Sequence, residues 1–169
     1  MQKDQLFGQT TTHLIRFDKN QWLYPDAVEG FYNLRHAAKY EGFDIRIASG
    51  YRSFERQLDI WNQKWLGQRP IYSVSGDVID PESLSDKEKL FAILNWSALP
   101  GTSRHHWGTD IDIYDGNNIE LHQLQLQPWE YETCDGPCHD LFRWLSANLK
   151  KFRFFFPYIK YQGGVQKEP

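Results

Sequence analysis

The chain has 169 residues, of which 40% are hydrophobic and 24% are charged. These values are typical of one folded domain and argue against a disordered chain, so we expect a single domain over 1–169 with one active site. The net charge is only −3, and no run of lysine or arginine is present. This argues against nucleic acid as a partner, and we expect a monomer.

The first residues lack an apolar segment of signal-peptide length, and no apolar run is long enough to span a bilayer. A mature protein whose leader had been removed would have the same sequence, so the compartment stays open. Cys134 and Cys138 fit a short-loop disulfide, two free thiols, or half of a metal site with His122 and His139. The first two alternatives are favoured, because the second half of a four-ligand zinc pattern is missing.

The first strong pattern along the chain predicts an amphipathic helix over 24–43. Its apolar residues recur at helical spacing, at Ala27, Phe31, Leu34 and Ala38. Asp26 is the expected N-cap, and Gly42 is expected to end the helix. The alternating stretch that follows, with Ile45 and Ile47, predicts a strand that ends in a turn at Gly50.

A second helix is predicted over 53–67, with Ser53 as its N-cap and Leu58, Trp61 and Trp65 on one apolar face. Residues 68–83 are rich in proline, glycine, serine and aspartate, which predicts a loop long enough to form a lid or a substrate wall. A third helix follows over 85–99 and is expected to be capped by Ser85.

In the last third of the chain, residues 109–115 alternate as a strand does, which would place Asp110 and Asp112 on one face. Residues 116–137 are polar and irregular and predict an insertion beside the site. A last helix over 139–152 and two short strands within 154–169, joined at Gly163 and Gly164, complete the layout. The predicted fold class is α+β, with a small, mainly antiparallel sheet flanked by helices.

The stretch SRHHWGTDID, residues 103–112, concentrates imidazole and carboxylate groups. His105 follows a Pro-Gly turn, Asp112 lies on a strand, and Gly108 between them lets the chain reverse. Both side chains can therefore converge on one point. An imidazole nitrogen and a carboxylate oxygen are a normal ligand pair for a catalytic zinc ion, which needs one further protein ligand and keeps a position for water.

Two motifs in this chain resemble those of the VanY-type D-alanyl-D-alanine carboxypeptidases, which are zinc metallopeptidases that trim bacterial cell-wall peptides. SRHHWGTDID is similar to the family's S-x-H-x-x-G-x-A-x-D signature, and SGYRSFERQ, residues 49–57, is similar to its SGYRS-x-x-x-Q element. Two motifs in the right order are far more specific than either alone. The resemblance implies a fold of the D-Ala-D-Ala carboxypeptidase and hedgehog-like zinc peptidase type.

The resemblance also implies roles for individual residues. His105 and Asp112 would bind zinc, and Ser103 and Gln57 would lie on the substrate side of the site. Arg52 would act both on the substrate and in catalysis, because a fixed guanidinium near a polarised carbonyl stabilises an oxyanion.

The end of the chain matches only half of the family's closing EPWH element. Glu168 and Pro169 align with its first two positions, so Glu168 would be the general base, and the histidine expected as third zinc ligand would follow Pro169. Either the given sequence stops short of that histidine, which we expect because GGVQKEP is typical of the start of the final strand, or the protein has lost this ligand. Zinc affinity is expected to be low without it. Asp110 stands where the signature has alanine, and is expected to support a zinc-bound histidine or to compete as a ligand. His106 is a candidate substitute ligand.

The leading functional interpretation is zinc-dependent hydrolysis of peptidoglycan stem peptides, with release of a C-terminal D-amino acid. The first alternative is a peptidoglycan endopeptidase of the kind found in L-alanyl-D-glutamate endolysins, which resemble the same family. The second is a metal-free, non-catalytic module that binds the cell wall or a partner. A closed pocket would favour the carboxypeptidase, and an open groove the endopeptidase.

Overall fold

The computed structural model describes residues 1–18 and 21–158, in which helices alternate with short antiparallel strand pairs. The α-helices are α1 (Lys3–Leu6), α2 (Pro25–Tyr40), α3 (Phe54–Trp65), α4 (Asp86–Leu94), α5 (Trp129–Glu132) and α6 (His139–Asn148). The strands are β1 (Ile15–Asp18), β2 (Gln21–Leu23), β3 (Ile45–Ser49), β4 (Ile71–Tyr72), β5 (Val78–Ile79) and β6 (Asp112–Asp115). Short 3-10 helices lie at Pro81–Ser83, Arg104–Trp107 and Leu149–Phe152. The expected α+β class is confirmed.

The pair β3–β6 is the sheet that positions the site. Ile47 pairs with Ile113, and Ser49 pairs with Asp112, with an irregularity of register between Ile47 and Ser49. Because the strands are antiparallel and Ser49 pairs with Asp112, the loop after Ser49 and the residues before Asp112 emerge side by side. The other two sheets, β1–β2 and β4–β5, are also antiparallel pairs.

The main core forms where α2 and α6 pack on this sheet. Its buried members include Phe31, Leu34 and Ala38 of α2 and Leu141 and Leu145 of α6. The helical spacing in the sequence therefore identified the buried face of α2 correctly.

The expected N-cap of α2 was wrong. Tyr24 is the N-cap, Pro25 takes the first helical position, and Asp26 lies in the first turn. Proline has its φ fixed near the helical value and has no backbone N–H to satisfy, so it starts the helix before the aspartate is reached. Gly42 follows the helix end with φ of 90°, as expected of a glycine that ends a helix.

Helix α3 begins at the predicted cap, and its buried face includes the predicted Trp61 but not Leu58. Leu58 is 41% exposed, whereas Gln57, Ile60 and Trp61 are buried. The inclusion of Leu58 in the buried face was therefore wrong. The buried face includes a glutamine because both ends of its amide find partners, as described below.

The cap of α3 gives a stability prediction. Ser53→Ala is expected to lower the free energy of unfolding by about 1 kcal/mol, because the Ser53 hydroxyl accepts a hydrogen bond from the Arg56 backbone N–H at 3.1 Å. Denaturant unfolding measures the loss. The control is Ser146→Ala in α6, where an exposed hydroxyl donates to the Phe142 carbonyl at 2.8 Å, and a change below about 0.5 kcal/mol is expected. Equal losses in the two variants would contradict the capping role.

Three further expectations are modified. The predicted loop 68–83 contains the hairpin β4–β5, which packs Ile71 against Trp61 and Ile93. The strand predicted over 109–115 begins only at Asp112, so Asp110 precedes it. Of the two strands predicted within 154–169, the described part, residues 154–158, adopts no strand, and the remainder lies outside the described residues.

Helix α4 begins after Ser85, whose hydroxyl and Glu88 form the predicted type of cap. Both cysteines are free thiols: Cys134 is exposed, and Cys138 is buried against Tyr114 and Tyr131. Within the described part of the chain, no helix combines the length and apolar character that a membrane crossing requires.

Candidate active site

Three segments bring the candidate residues together at one end of β3–β6. Arg52 lies in the loop between β3 and α3, His105 lies on the 3-10 helix Arg104–Trp107, and Asp112 is the first residue of β6. The backbone N–H of Arg52 donates to the His105 carbonyl at 3.1 Å, which joins the first two segments directly. Gly108 ends the 3-10 helix with φ of 70°, so it makes the chain reversal expected of it.

His105 and Asp112 converge as the sequence predicted. Nε2 of His105 lies 3.3 Å from Oδ2 of Asp112. On the other side of the ring, Nδ1 lies 3.1 Å from the backbone carbonyl oxygen of Asp110. A carbonyl oxygen only accepts hydrogen bonds, so Nδ1 carries the proton, and Nε2 faces the carboxylate.

Asp110 supports His105 through its backbone, whereas its carboxylate turns to another residue. Oδ1 of Asp110 lies 3.3 Å from Nε of Arg104, and both side chains are partly buried. Asp110 therefore orients the imidazole without its carboxylate entering the His105–Asp112 contact.

The two groups of the pair shift each other's protonation. Burial by itself lowers the pKa of His105, but the charge of Asp112 and the hydrogen bond to it outweigh burial, and the pKa is raised. Burial raises the pKa of Asp112, but the charge of His105, the hydrogen bond to His105 and the charge of Arg52 together outweigh burial, and the pKa is lowered. A cation that binds Nε2 must therefore displace a proton that the pair holds.

Arg52 is held rigidly between neutral acceptors. One of its terminal nitrogens donates to Oε1 of Gln57 at 2.8 Å, and the other donates to Oγ of Ser49 at 3.0 Å. Burial lowers the pKa of this guanidinium, and the charge of Asp112 partly offsets the effect. The result is a desolvated cation, fixed in orientation, beside the histidine–aspartate pair.

Gln57 is placed behind Arg52, not on the substrate side. Its side chain is fully buried, with Oε1 bound to Arg52 and Nε2 donating to the Ala98 carbonyl at 2.6 Å. The structure does not place Gln57 on the substrate side, because its side chain is fully buried and does not border the cavity. It is a positioning residue for Arg52.

A cavity of about 570 Å³ opens over these groups. Arg52, Ser103, His105 and Asp112 all border it, so Ser103 lies where the substrate-side assignment needs it. The lining also includes residues 125–127, whose turn is fixed by Glu130. This buried carboxylate accepts backbone N–H groups of Gln125 and Gln127, at 3.0 and 2.8 Å.

His106, the neighbouring histidine, is part of the scaffold. Its Nε2 accepts from the Gly101 backbone N–H at 3.0 Å, and its Nδ1 lies 2.6 Å from the Arg52 carbonyl oxygen. The ring is fully buried, and burial lowers its pKa. Both nitrogens are committed to the backbone, so His106 fixes the Arg52 loop and is not available as a substitute ligand.

The N-terminal segment, residues 1–14, packs against the outer side of these loops. The Gly8 carbonyl accepts from the Phe54 backbone N–H at 2.9 Å and from the Tyr51 hydroxyl at 3.0 Å. A Cβ atom at Gly8 would meet the ring of His106. The segment and His106 therefore both support the Arg52 loop, and they lie against each other at Gly8.

His105 and Asp112 offer the kinds of ligand atom that a zinc ion binds. An imidazole Nε2, with its Nδ1 fixed by a carbonyl, and a carboxylate oxygen are the arrangement expected of zinc ligands. Among residues 1–18 and 21–158, no group of three or more His, Cys, Asp or Glu side chains forms a possible metal cluster. The described residues thus supply two donors, and Glu168 lies outside them.

Taken together, the geometry defines a class: a small α+β domain whose cavity joins a histidine–carboxylate pair to a desolvated, oriented arginine. The chain belongs to the VanY D-alanyl-D-alanine carboxypeptidase family, whose sequence profile matches residues 20–169. The N-terminal segment lies outside this match.

Relatives and solved structures agree with this assignment. A D-alanyl-D-alanine carboxypeptidase of Enterococcus faecalis is 29% identical over 140 residues, which are 81% of this chain and 42% of that protein. An uncharacterised protein of Haemophilus influenzae is 38% identical over 100 residues, 57% of this chain and 68% of its own length. The chain therefore spans less than half of the named Enterococcus relative.

The fold matches solved structures at low sequence identity. VanYB in complex with D-alanine-D-alanine has a TM-score of 0.61 at 22% identity, covering 86% of this chain and 66% of that one. A VanY D,D-pentapeptidase mutant in complex with Zn(II) has a TM-score of 0.64 at 20% identity, covering 94% and 78%. At such identities, the likeness concerns the fold.

Proposed function

We propose that this protein hydrolyses peptidoglycan stem peptides with a zinc ion bound at His105 and Asp112, and that it releases a C-terminal D-amino acid. The observation that carries the proposal is the 3.3 Å contact between Nε2 of His105 and Oδ2 of Asp112 beside the half-buried Arg52. Membership in the VanY family supports hydrolysis of such peptides. The named relatives and the zinc complex support the D-alanyl-D-alanine substrate and the metal.

When bound, a zinc ion supplies Lewis-acid polarisation of the scissile carbonyl and activation of water. The residues of the chain orient the metal ligand, stabilise the developing charge and transfer the proton. Asp110 fixes the His105 ring through its backbone carbonyl, which leaves Nε2 free for the metal once its proton is lost. Arg52, held by Gln57 and Ser49, donates to the oxygen on which negative charge develops. Glu168 is assigned proton transfer by its match to the closing motif of the family.

The carboxypeptidase is preferred to the endopeptidase because the family profile and the Enterococcus relative are both those of D-alanyl-D-alanine carboxypeptidases. Residues 94–98 and residues 125–127 both border the cavity. A pocket closed around a peptide end would suit a carboxypeptidase, whereas an endopeptidase needs a groove through which the chain continues on both sides.

The test is zinc content and hydrolysis of a stem peptide ending in D-Ala-D-Ala, using the full-length gene product. We expect about one zinc per chain and release of a single D-Ala by mass spectrometry. The His105→Ala variant is expected to contain no bound zinc and to lose more than about 100-fold in kcat. The matched control, His122→Ala, changes an exposed histidine and is expected to retain both.

The outcomes separate the alternatives. Cleavage inside the stem would make the protein an endopeptidase and overturn the carboxypeptidase assignment. Peptide binding without zinc and without hydrolysis would overturn the enzyme assignment and favour the binding module. Zinc content that survives in His105→Ala would show that the ligands lie elsewhere.

A further inference from the structure

We propose that Arg104 is a positioning residue, which holds the Asp110 carboxylate away from the histidine–aspartate pair of the active site. This inference rests on the proposed function, since the pair consists of the two residues that would hold zinc. It assigns to Arg104 a role that acts through Asp110 and not through contact with the substrate.

Asp110 departs from the family signature, which has alanine at this position. Asp110 borders the catalytic cavity, and its backbone carbonyl oxygen lies 3.1 Å from Nδ1 of His105. Its carboxylate is therefore carried by the same residue that orients the imidazole. Aspartate side chains compete with backbone groups for nearby hydrogen-bond donors, so a free carboxylate here would compete with the Asp110 carbonyl for the Nδ1 proton.

Arg104 keeps this carboxylate occupied. Nε of Arg104 lies 3.3 Å from Oδ1 of Asp110, and the two side chains are 30% and 15% exposed, so water screens the ion pair less than it would at an open surface. Arg104 and His105 precede the chain reversal at Gly108, whereas Asp110 and Asp112 follow it. The ion pair therefore crosses the same reversal that brings the histidine and the aspartate together.

Two aromatic rings hold the guanidinium of Arg104 in place. Its central carbon, Cζ, lies 5.2 Å from the centroid of the Trp107 ring and 5.7 Å from that of the Phe155 ring. A guanidinium is attracted to such rings and keeps its full positive charge. Trp107 lies on the same 3-10 helix, and Phe155 follows the last 3-10 helix. Arg104 is thus oriented by contacts other than Asp110 and is a fixed partner for its carboxylate.

A released Asp110 carboxylate has two groups to bind at the active site. Burial by itself acts to lower the pKa of both His105 and Arg52. The charge of Asp112 opposes burial at both groups, and the charge of Asp110 adds to it, so both groups lie within reach of its field. A largely buried charge without a partner is costly. Without Arg104, the carboxylate is therefore expected to turn to the imidazole or to the Arg52 guanidinium and to displace them.

The experiment compares four variants of the full-length protein at matched zinc content, with a stem peptide ending in D-Ala-D-Ala. Arg104→Met is expected to lower kcat about tenfold with KM changed by less than about threefold. Arg104→Lys retains the charge, and Asp110→Ala and the double variant Arg104→Met/Asp110→Ala have no carboxylate to misplace. These three are expected to stay within about threefold of the parent kcat.

Two readouts need no turnover. Competition with a chelator is expected to show about tenfold weaker zinc binding in Arg104→Met than in the parent, and recovery in the double variant. Nitrogen-15 spectra of the metal-free protein are expected to show a shifted Nδ1 signal of His105 in Arg104→Met alone. The matched control is Arg46→Met, which breaks an arginine–aspartate pair with Asp44 at 2.8 Å, near the other end of β3. All three measurements are expected to stay within about twofold of the parent, or unshifted, in this control.

The double variant decides the inference. If it is as impaired as Arg104→Met in kcat and zinc affinity, Arg104 acts without Asp110 and the inference is wrong. An Asp110→Ala protein as impaired as Arg104→Met would show that the carboxylate is itself needed, and equal effects in Arg104→Met and Arg46→Met would show a general loss of charge. Either result overturns the inference. If the parent binds no zinc and cuts no stem peptide, the proposed function falls, and the spectra of the metal-free protein still decide the role of Arg104.

Discussion

Arg52→Lys is expected to lower kcat for the stem peptide by about 100- to 1,000-fold with little change in KM. The guanidinium of Arg52 is fixed by two acceptors, Gln57 and Ser49, and its remaining N–H groups are oriented by that pair of bonds. A lysine ammonium is a single point donor and cannot meet both acceptors and the developing oxyanion in one geometry. Steady-state kinetics at matched zinc content measures the effect.

The control for this prediction is Arg56→Lys, four residues along. Arg56 is exposed and pairs with Asp59 at 2.6 Å on the surface of α3, so the lysine variant is expected to stay within about twofold of the parent kcat. An Arg52→Lys protein that kept the parent kcat would show that this guanidinium does not stabilise the transition state. A rise in KM alone would assign Arg52 to substrate binding only.

Gly8→Ala is expected to destabilise the protein by about 2–4 kcal/mol and to lower kcat at least about tenfold, although Gly8 does not border the catalytic cavity. Its φ is 71°, and a Cβ there would meet the ring of His106. Displacing that ring breaks its bonds to Gly101 and to the Arg52 carbonyl. The arginine then loses the support that fixes its loop.

Two measurements test the Gly8 prediction. Denaturant unfolding gives the stability change, and nitrogen-15 spectra of the imidazole report whether His106 keeps its proton on Nδ1. The matched control is Gly42→Ala, where φ is 90° but no atom lies within 4 Å of the added Cβ. This control variant is expected to lose about 1 kcal/mol in free energy of unfolding and to keep the kcat of the parent. Equal effects on kcat in both variants would contradict the positioning role of the N-terminal segment.

Much of the architecture was predictable because it follows from short-range patterns. Apolar spacing located α2, and the serines before α3 and α4 marked where these helices begin. Alternation located β3, and the turn at Gly108 explained how His105 and Asp112 meet. These signals act over a few residues, so a single sequence contains all the information needed to interpret them.

The parts that were not predicted depend on partners far along the chain. Gln57 looked like a polar residue available to substrate, and only its bond to the Ala98 carbonyl, 41 positions away, shows that it is buried. The contact between Gly8 and His106 leaves no local signal at either residue.

The pairing of β3 with β6 also bears on when the site forms during folding. At the end of this strand pair, the backbone N–H of Asp44 donates a hydrogen bond to the carboxylate of Asp115, and the two residues are 71 positions apart in the chain. The backbone hydrogen bonds of helices α2 and α3 are local, whereas closing so long a loop carries an entropic cost before any strand bond compensates for it. We therefore expect the helices to form early and the histidine–aspartate pair to be assembled among the last steps, so that a nascent chain has no hydrolytic centre until its fold is nearly complete.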